Sequence, residues 1–290
     1  MTKIKLPIIF LMIVSAAGCG PQFKKPLKIC PGKANAEEAI GVLGGQIKNI
    51  VPLTASGDCT IVYQVDGKLH SPESLRLQLR IEPPLDVYLQ GGSIIGKTVE
   101  LGANDREFWM QLWPKEVSTY LWGVWADEGV RQCINEFWLG PETWLETFGI
   151  VKVATAADAA GVWELSHKGS FDILSRKTMD GVLTKKVYVY CCDYHVRKIE
   201  YFDSQGRAAT VIELDDYVPV VKGGDWKVPR KIHIKNSENE TLDVELKNVA
   251  KGQFNDKQRQ LWFQRPNATG FEHVGRMNSA CEFVEKAPNP

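Results

Sequence analysis

The alternation of apolar and polar positions divides the chain into many strands and a few helical stretches. "SLRLQLRIE" sets Leu75, Leu77, Leu79 and Ile81 against Arg76, Gln78, Arg80 and Glu82. That strict period of two gives a strand one greasy and one wet face. "CTIVYQV", "REFWMQLW", "RKIHIK" and "TLDVELK" behave in the same way. Such alternation belongs to antiparallel sheets with a single buried face, whereas parallel strands sandwiched by helices run continuously apolar. From Val162 onward "GVWELSH", "KKVYVYCC", "HVRKIEYFD" and "ATVIELDDY" predict more strands, with a hairpin turn at Asp203–Gly206.

Helical spacing occurs at two places. "NAEEAIGVLGGQIKNIV" puts Ile40, Leu43, Ile47, Ile50 and Val51 on one stripe, with Asn35 as cap and Glu38 in the capping-box position. Gly41, Gly44 and Gly45 weaken this helix, so it must dock to persist. "GPETWLETFGI" offers Pro141 at a first helical position and a stripe of Trp144, Leu145 and Phe148.

The chain start changes the picture. In "MTKIKLPIIFLMIVSAAGCG", Lys3 and Lys5 precede an apolar run from Leu6 to Gly18. The run is shorter than the roughly 20 residues a spanning helix needs, and it fits a secretory signal. Ala16-Ala17-Gly18-Cys19 resembles the lipobox of bacterial lipoproteins. That resemblance implies cleavage before Cys19, lipid on its thiol, and anchoring of the mature chain to a membrane surface. The alternative is an ordinary cleaved signal with an incidental cysteine. Two or more acyl chains make a stable anchor where one is marginal. The sequence therefore predicts a signal peptide over 1–18 and a lipidated Cys19 with a flexible tether over 19–34. A folded domain over 35–275 and a C-terminal tail over 276–290 follow.

Composition narrows the function classes. The chain has 35 basic and 35 acidic residues, so it carries no electrostatic footprint for nucleic acid. It has seven cysteines; with Cys19 acylated, the remaining six can pair in fifteen ways in an oxidising envelope. Cys191 and Cys192 adjoin on a predicted strand, where their side chains face apart and do not pair with each other. The run Cys191-Cys192-Asp193-Tyr194-His195 lacks the spacing of a metal site, and structural cysteines are the expectation.

"GGSIIGKT", Gly91 to Thr98, fits the phosphate-binding pattern G-x-x-x-x-G-K-[ST]. A true phosphate loop joins a parallel strand to a helix, and "TVELGANDREFW" opens no helix here. The phrase reads as a bend or bulge between two strands, and no nucleotide is expected. The five histidines are scattered, and no G-x-S-x-G elbow is present. Asp215 and Asp216 are neighbours on a strand and cannot share a substrate proton. Neither an enzyme nor a cofactor is implied.

In this layout the chain resembles the LolA/LolB-like family of bacterial envelope proteins. The resemblance rests on "IEPPLDVYLQ", "LGANDREFWMQLWP", "RKIEYFDSQGRAATVIELDDYVPV", "KVPRKIHIK" and "LWFQRP", in that order, over about residues 35–275. It implies a mainly β (α+β) fold, a curved antiparallel sheet forming an incomplete β-barrel closed by helices. It also implies a partner: a lipid, or the acyl chains of a lipoprotein, held in an apolar cavity. Leu75, Leu77, Leu79, Phe108, Met110, Leu112, Ile232 and Ile234 are expected to face inward. If they leave the interior unfilled, the void is dry and suits an acyl chain. If they fill it, the chain is a structural or interaction lipoprotein with an envelope protein partner. Trp109, Trp113, Trp122, Trp125, Trp138 and Trp144 crowd one stretch and suit a cavity mouth, a membrane interface or the core. An anchored chain resembles the family's receptor more than its diffusing carrier. Gly20 after the anchor implies, by the sorting rule of some bacteria, the outer membrane facing the periplasm.

Overall fold

A computed structural model of the protein describes residues 28–65, 68–70, 72–93, 96–127, 129–130, 141–148, 161–280 and 282–285. Cys19, Cys133, Trp138 and Cys281 lie outside them.

Strand alternation builds one large sheet. Leu53–Val62 (β1) lies at its centre, between Glu73–Glu82 (β4) on one side and Thr241–Lys251 (β15) on the other. One arm runs outward from β4 through Asp86–Ser93 (β5), Gly96–Ala103 (β6), Glu107–Leu112 (β7) and Thr119–Val124 (β8) to His273–Met277 (β16) and Phe283–Glu285 (β17). The other runs from β15 through Lys227–Asn236 (β14), Ala208–Pro219 (β13), Val196–Phe202 (β12), Leu183–Tyr190 (β11) and Phe171–Lys177 (β10) to Val162–Lys168 (β9). Among the described residues the sheet has 15 strands and does not close, since β9 and β17 end it without meeting. Gln64–Val65 (β2) and Lys68–Leu69 (β3) form a separate small ribbon.

The expectation of a wholly antiparallel sheet needs correction, because β8 and β16 pair in parallel. The chain reaches β16 through a crossover that includes a helix, and a crossover is what a parallel pair requires. β16 and β17 also take into the sheet residues expected to be a C-terminal tail.

Among the described residues, Ala36–Gln46 (α1), Pro141–Thr147 (α2) and Asp256–Phe263 (α3) are α-helices that accompany the sheet. Asn35 caps α1, its side-chain oxygen accepting from Glu38 N at 2.9 Å, but the Glu38 carboxylate accepts from Ala34 N rather than closing a box on Asn35. α1 ends at Gln46, short of the expected Val51, directly after Gly44 and Gly45. Ala39 and Leu43 are its buried residues. No described helix is long and apolar enough to cross a membrane.

α1 and α2 contribute Ala39, Leu43, Trp144 and Leu145, with Phe148 just beyond α2, to the main apolar core. α3, absent from the sequence reading, packs Phe263 and the adjacent Phe254 on Tyr88. Tyr88 points away from that core, because its strand neighbours Val87 and Leu89 point into it. Helices therefore stand on both faces of the sheet, not on one open side alone.

"GGSIIGKT" forms the turn between two strands. The ladder slips between Gly91 and Gly92 on β5, and Gly96 opens β6 with φ +147°, a conformation suited to glycine. Thr98 lies inside β6, where a phosphate loop would start a helix.

Candidate functional site

One face of the sheet is apolar across both arms. Cross-strand register lines up Leu121, Met110, Leu101, Leu89, Leu79 and Ala55 from β8 to β1. A second row joins Leu242, Ile234, Ile212, Ile199, Val187, Leu174 and Leu165 from β15 to β9. Each strand was read as half greasy, and pairing fuses the greasy halves into one surface.

All eight sequence-predicted inward residues share this face. Leu75 reaches Ile232 through Cys59 and Val244, and Leu77 reaches Leu112 through Gly91 and Val99. Leu75, Leu77, Leu79, Ile232 and Ile234 belong to the main core. Phe108 and Met110 join a second cluster with Leu121, Trp125 and Met277. Leu112 is half-buried on the same face. Leu79 is 1% exposed and Ile232 2%, so these side chains border no water-sized void. Met110 and Leu112 retain accessible surface.

Polar groups interrupt the apolar face at its margins, Asp172 and Thr210 among them. Glu146 of α2 forms an ion pair with Lys185 of β11 and accepts from the Tyr201 hydroxyl of β12, with both charged side chains 8% exposed. A pair so deep gains Coulomb energy only by offsetting a large desolvation cost, so it orients the helix more than it stabilises the fold.

A second polar cluster holds the N-terminal segment. Asp172, fully buried on β10, accepts from Lys33 N at 2.9 Å, the Tyr194 hydroxyl at 3.0 Å and the Cys191 thiol at 3.4 Å. His167 Nδ1 lies 2.8 Å away. Burial opposes the Asp172 charge, but these hydrogen bonds outweigh it and hold the carboxyl below its usual range. A Cβ on Gly32 would meet Asp172 Oδ1 at 2.1 Å, so only glycine allows this approach. Beside it Cys30 and Cys192 form a disulfide. The expected strand at Cys191 and Cys192 is instead a turn, ended by Tyr194 at φ 57°, and it frees Cys192 to reach Cys30. Cys191 and Cys59 are free thiols, and burial pushes Cys59 up to about 11.

The opposite, polar face carries a trough of about 930 Å³ across β10–β15 and β1. Phe171, Tyr188, Tyr190 and Lys198 line one side, and Glu213, Lys231, Asp243, Glu245 and Asp58 the other. Lys198 Nζ stands 4.1 Å above the Tyr188 ring, and the Tyr188 hydroxyl donates to Glu200 at 2.7 Å. His233 Nδ1 lies 2.6 Å from Asp243. Sequence reasoning passed over these residues because each occupies the wet half of its strand. Asp215 and Asp216 each serve a different arginine, Arg197 and Arg230.

The crowded tryptophans divide between faces. Trp144 lies in the main core, and Trp125 packs on Phe108 at 5.0 Å while its indole donates to Asn104 O at 2.7 Å. Trp109 is buried on the other face, paired across strands with Trp122, on which Arg265 stacks at 4.1 Å. Trp113 meets Phe271 at 5.4 Å.

No family model matches the sequence, and no curated protein matches it. Solved structures do resemble it. A LolA superfamily protein from Nitrosomonas europaea is 12% identical, with a TM-score of 0.47 over 78% of this chain and 97% of its own. A putative outer membrane lipoprotein-sorting protein domain from Vibrio parahaemolyticus is 9% identical, with a TM-score of 0.49 over 77% and 94%. A DUF1329 family protein from Desulfovibrio piger is 11% identical, with a TM-score of 0.48 over 77% and 94%. The chain is thus similar, at low identity, to solved proteins of the LolA and lipoprotein-sorting type.

Proposed function

We propose that the chain is a membrane-anchored lipoprotein that binds a lipid, or the acyl chains of a lipoprotein, on the apolar face of its sheet. In this reading the curved sheet is an incomplete barrel, and α1 and α2 cover its open side. The acyl group on Cys19 holds it at the bacterial envelope, on the outer membrane facing the periplasm. Its work is binding and transfer, not catalysis, with an envelope protein as the source or recipient of the lipid.

The observation that carries the reading is the single apolar face that crosses both arms of an unclosed sheet. An acyl chain needs a long dry surface and few polar contacts, and this face supplies that, with the Glu146–Lys185 pair and the Asp172 cluster at its margins. Because Leu79 and Ile232 are packed, the ligand enters by displacing α2, and Met110 and Leu112 are the lining it meets with surface to spare.

The tight burial of Leu77, Leu79, Ile232 and Ile234 favours a second reading, a structural or interaction lipoprotein with a filled core. Native mass spectrometry of the gently purified chain separates the two. A releasable excess of a few hundred daltons, identified as lipid and abolished by Leu79→Trp, supports binding. A bare mass that persists after incubation with lipids turns the reading to the second.

A further inference from the structure

We infer that the end of the sheet at which residues 28–33 are held is a docking surface for an anionic bilayer. The N-terminal segment and three turns meet there. The Tyr190 hydroxyl at the end of β11 donates to Lys28 O at 2.9 Å, and Cys30 is bonded to Cys192 in the β11–β12 turn. Lys168, the last residue of β9, pairs with Phe171, which pairs with Tyr190. The β13–β14 turn joins through Tyr217, whose ring stacks on His195 at 4.4 Å, and Asp225 and Lys227 border the same small cleft as His195.

The charges at this end are unequal. Lys28, Lys168, Lys222 and Lys227 are exposed and have no ion-pair partner among the described residues. The unpaired carboxylates beside them are Asp225 and Glu37. Arg197 is occupied by Asp193 and Asp215, and Lys33 by Glu38. At the opposite end the β12–β13 and β14–β15 turns carry Asp203, Glu238 and Glu240 with Arg207, and the exposed Lys68 and Lys235 stand near these carboxylates. Ile29, 80% exposed, and Val221, 42% exposed, stand among the lysines. Cations around a few exposed apolar side chains complement an anionic headgroup layer, the lysines meeting phosphates while the apolar groups enter the interface.

The disulfide holds Cys30 at this end. Eleven residue steps from Cys19 to Cys30 reach at most about 40 Å, so an acylated Cys19 keeps this end next to the membrane. That last step rests on the acylation of the proposed function; the lysines and apolar side chains do not.

The test uses the chain with its native N terminus, mixed with vesicles of phosphatidylcholine alone or with phosphatidylglycerol. A water-soluble amine reagent labels exposed lysines, read by mass spectrometry. On anionic vesicles Lys28, Lys168, Lys222 and Lys227 should be protected about tenfold, while Lys68 and Lys235 at the far end stay open. Lys222→Glu with Lys227→Glu changes only exposed side chains and should abolish protection at Lys28 and Lys168. Equal labelling at both ends, or equal protection on neutral and anionic vesicles, overturns the inference. Bound lipid and the mass of the N-terminal peptide are read separately, so protection without a carried or attached lipid keeps docking and removes the lipid-carrying or anchoring reading.

Discussion

Glu146 and Lys185 face each other at the margin of the apolar face, and the Tyr201 hydroxyl completes the site. Removing one partner leaves an uncompensated buried charge. Glu146→Gln and Lys185→Met should each cost about 3–5 kcal/mol in urea unfolding. Glu146→Leu with Lys185→Met together should cost far less, since no charge is stranded. Single-variant losses under about 1 kcal/mol would show that α2 is held by Trp144, Leu145 and Phe148 alone.

The Cys30–Cys192 disulfide closes a loop with a sequence separation of 162. Replacing both cysteines by serine should lower stability by about 2–4 kcal/mol, because the unfolded chain regains its freedom. Reductant should bring the natural chain to the same melting temperature and leave the double variant unmoved. Amide exchange at Lys33, whose N–H donates to Asp172, should accelerate in both cases.

Asp86, at the start of β5, has its pKa raised to about 6 by burial and then by repulsion from Glu82 and Asp105. A carboxyl with a raised folded pKa favours folding while protonated. Its ionisation therefore costs stability as pH rises from about 4 through 6. Asp86→Asn should stabilise the chain at pH 7 by about 1–2 kcal/mol and leave it unchanged near pH 3.5. Melting curves at the two pH values decide this, and an equal gain at both would assign the effect to something other than ionisation.

Gly57 marks the bulge where β1 meets β15, and a Cβ there would lie 2.0 Å from Glu245 O. Backbone cannot give way as a flexible side chain can. Gly57→Ala should cost about 2 kcal/mol or more, while Gly44→Ala, in open space on α1, should be neutral or stabilising. Chemical denaturation of the two variants compares them directly.

Much of the strand content was legible because alternation at Leu75, Leu77 and Leu79 states which side of a strand is buried. Alternation does not state a partner, so the parallel pairing of β8 with β16 left no trace. α3 was missed because "DKQRQLWF" is polar for five residues before its apolar end, and its Asn255–Gln258 capping box is the signal that could have found it. The run "KKVYVYCC" carried the period of two past Tyr190, hiding the turn that lets Cys192 reach Cys30. The trough was illegible for a different reason: single residues on the wet side of a strand, such as Tyr188 and Glu213, look solvated until pairing gathers them on one floor.

The β1–β15 ladder also sets the order of assembly. Each arm is built largely from hairpins between successive strands, which form quickly from local contacts. The seam between them joins Leu53 to Lys251, residues that emerge far apart in time from the ribosome or an export channel. Until β15 is available, β1 presents an unpaired edge with Leu53, Ala55 and Cys59 on its apolar side. The half-made protein is therefore the vulnerable species, and a chain shortened before Thr241, its two arms lacking the strand that joins them, should aggregate instead of folding as a smaller version of the whole.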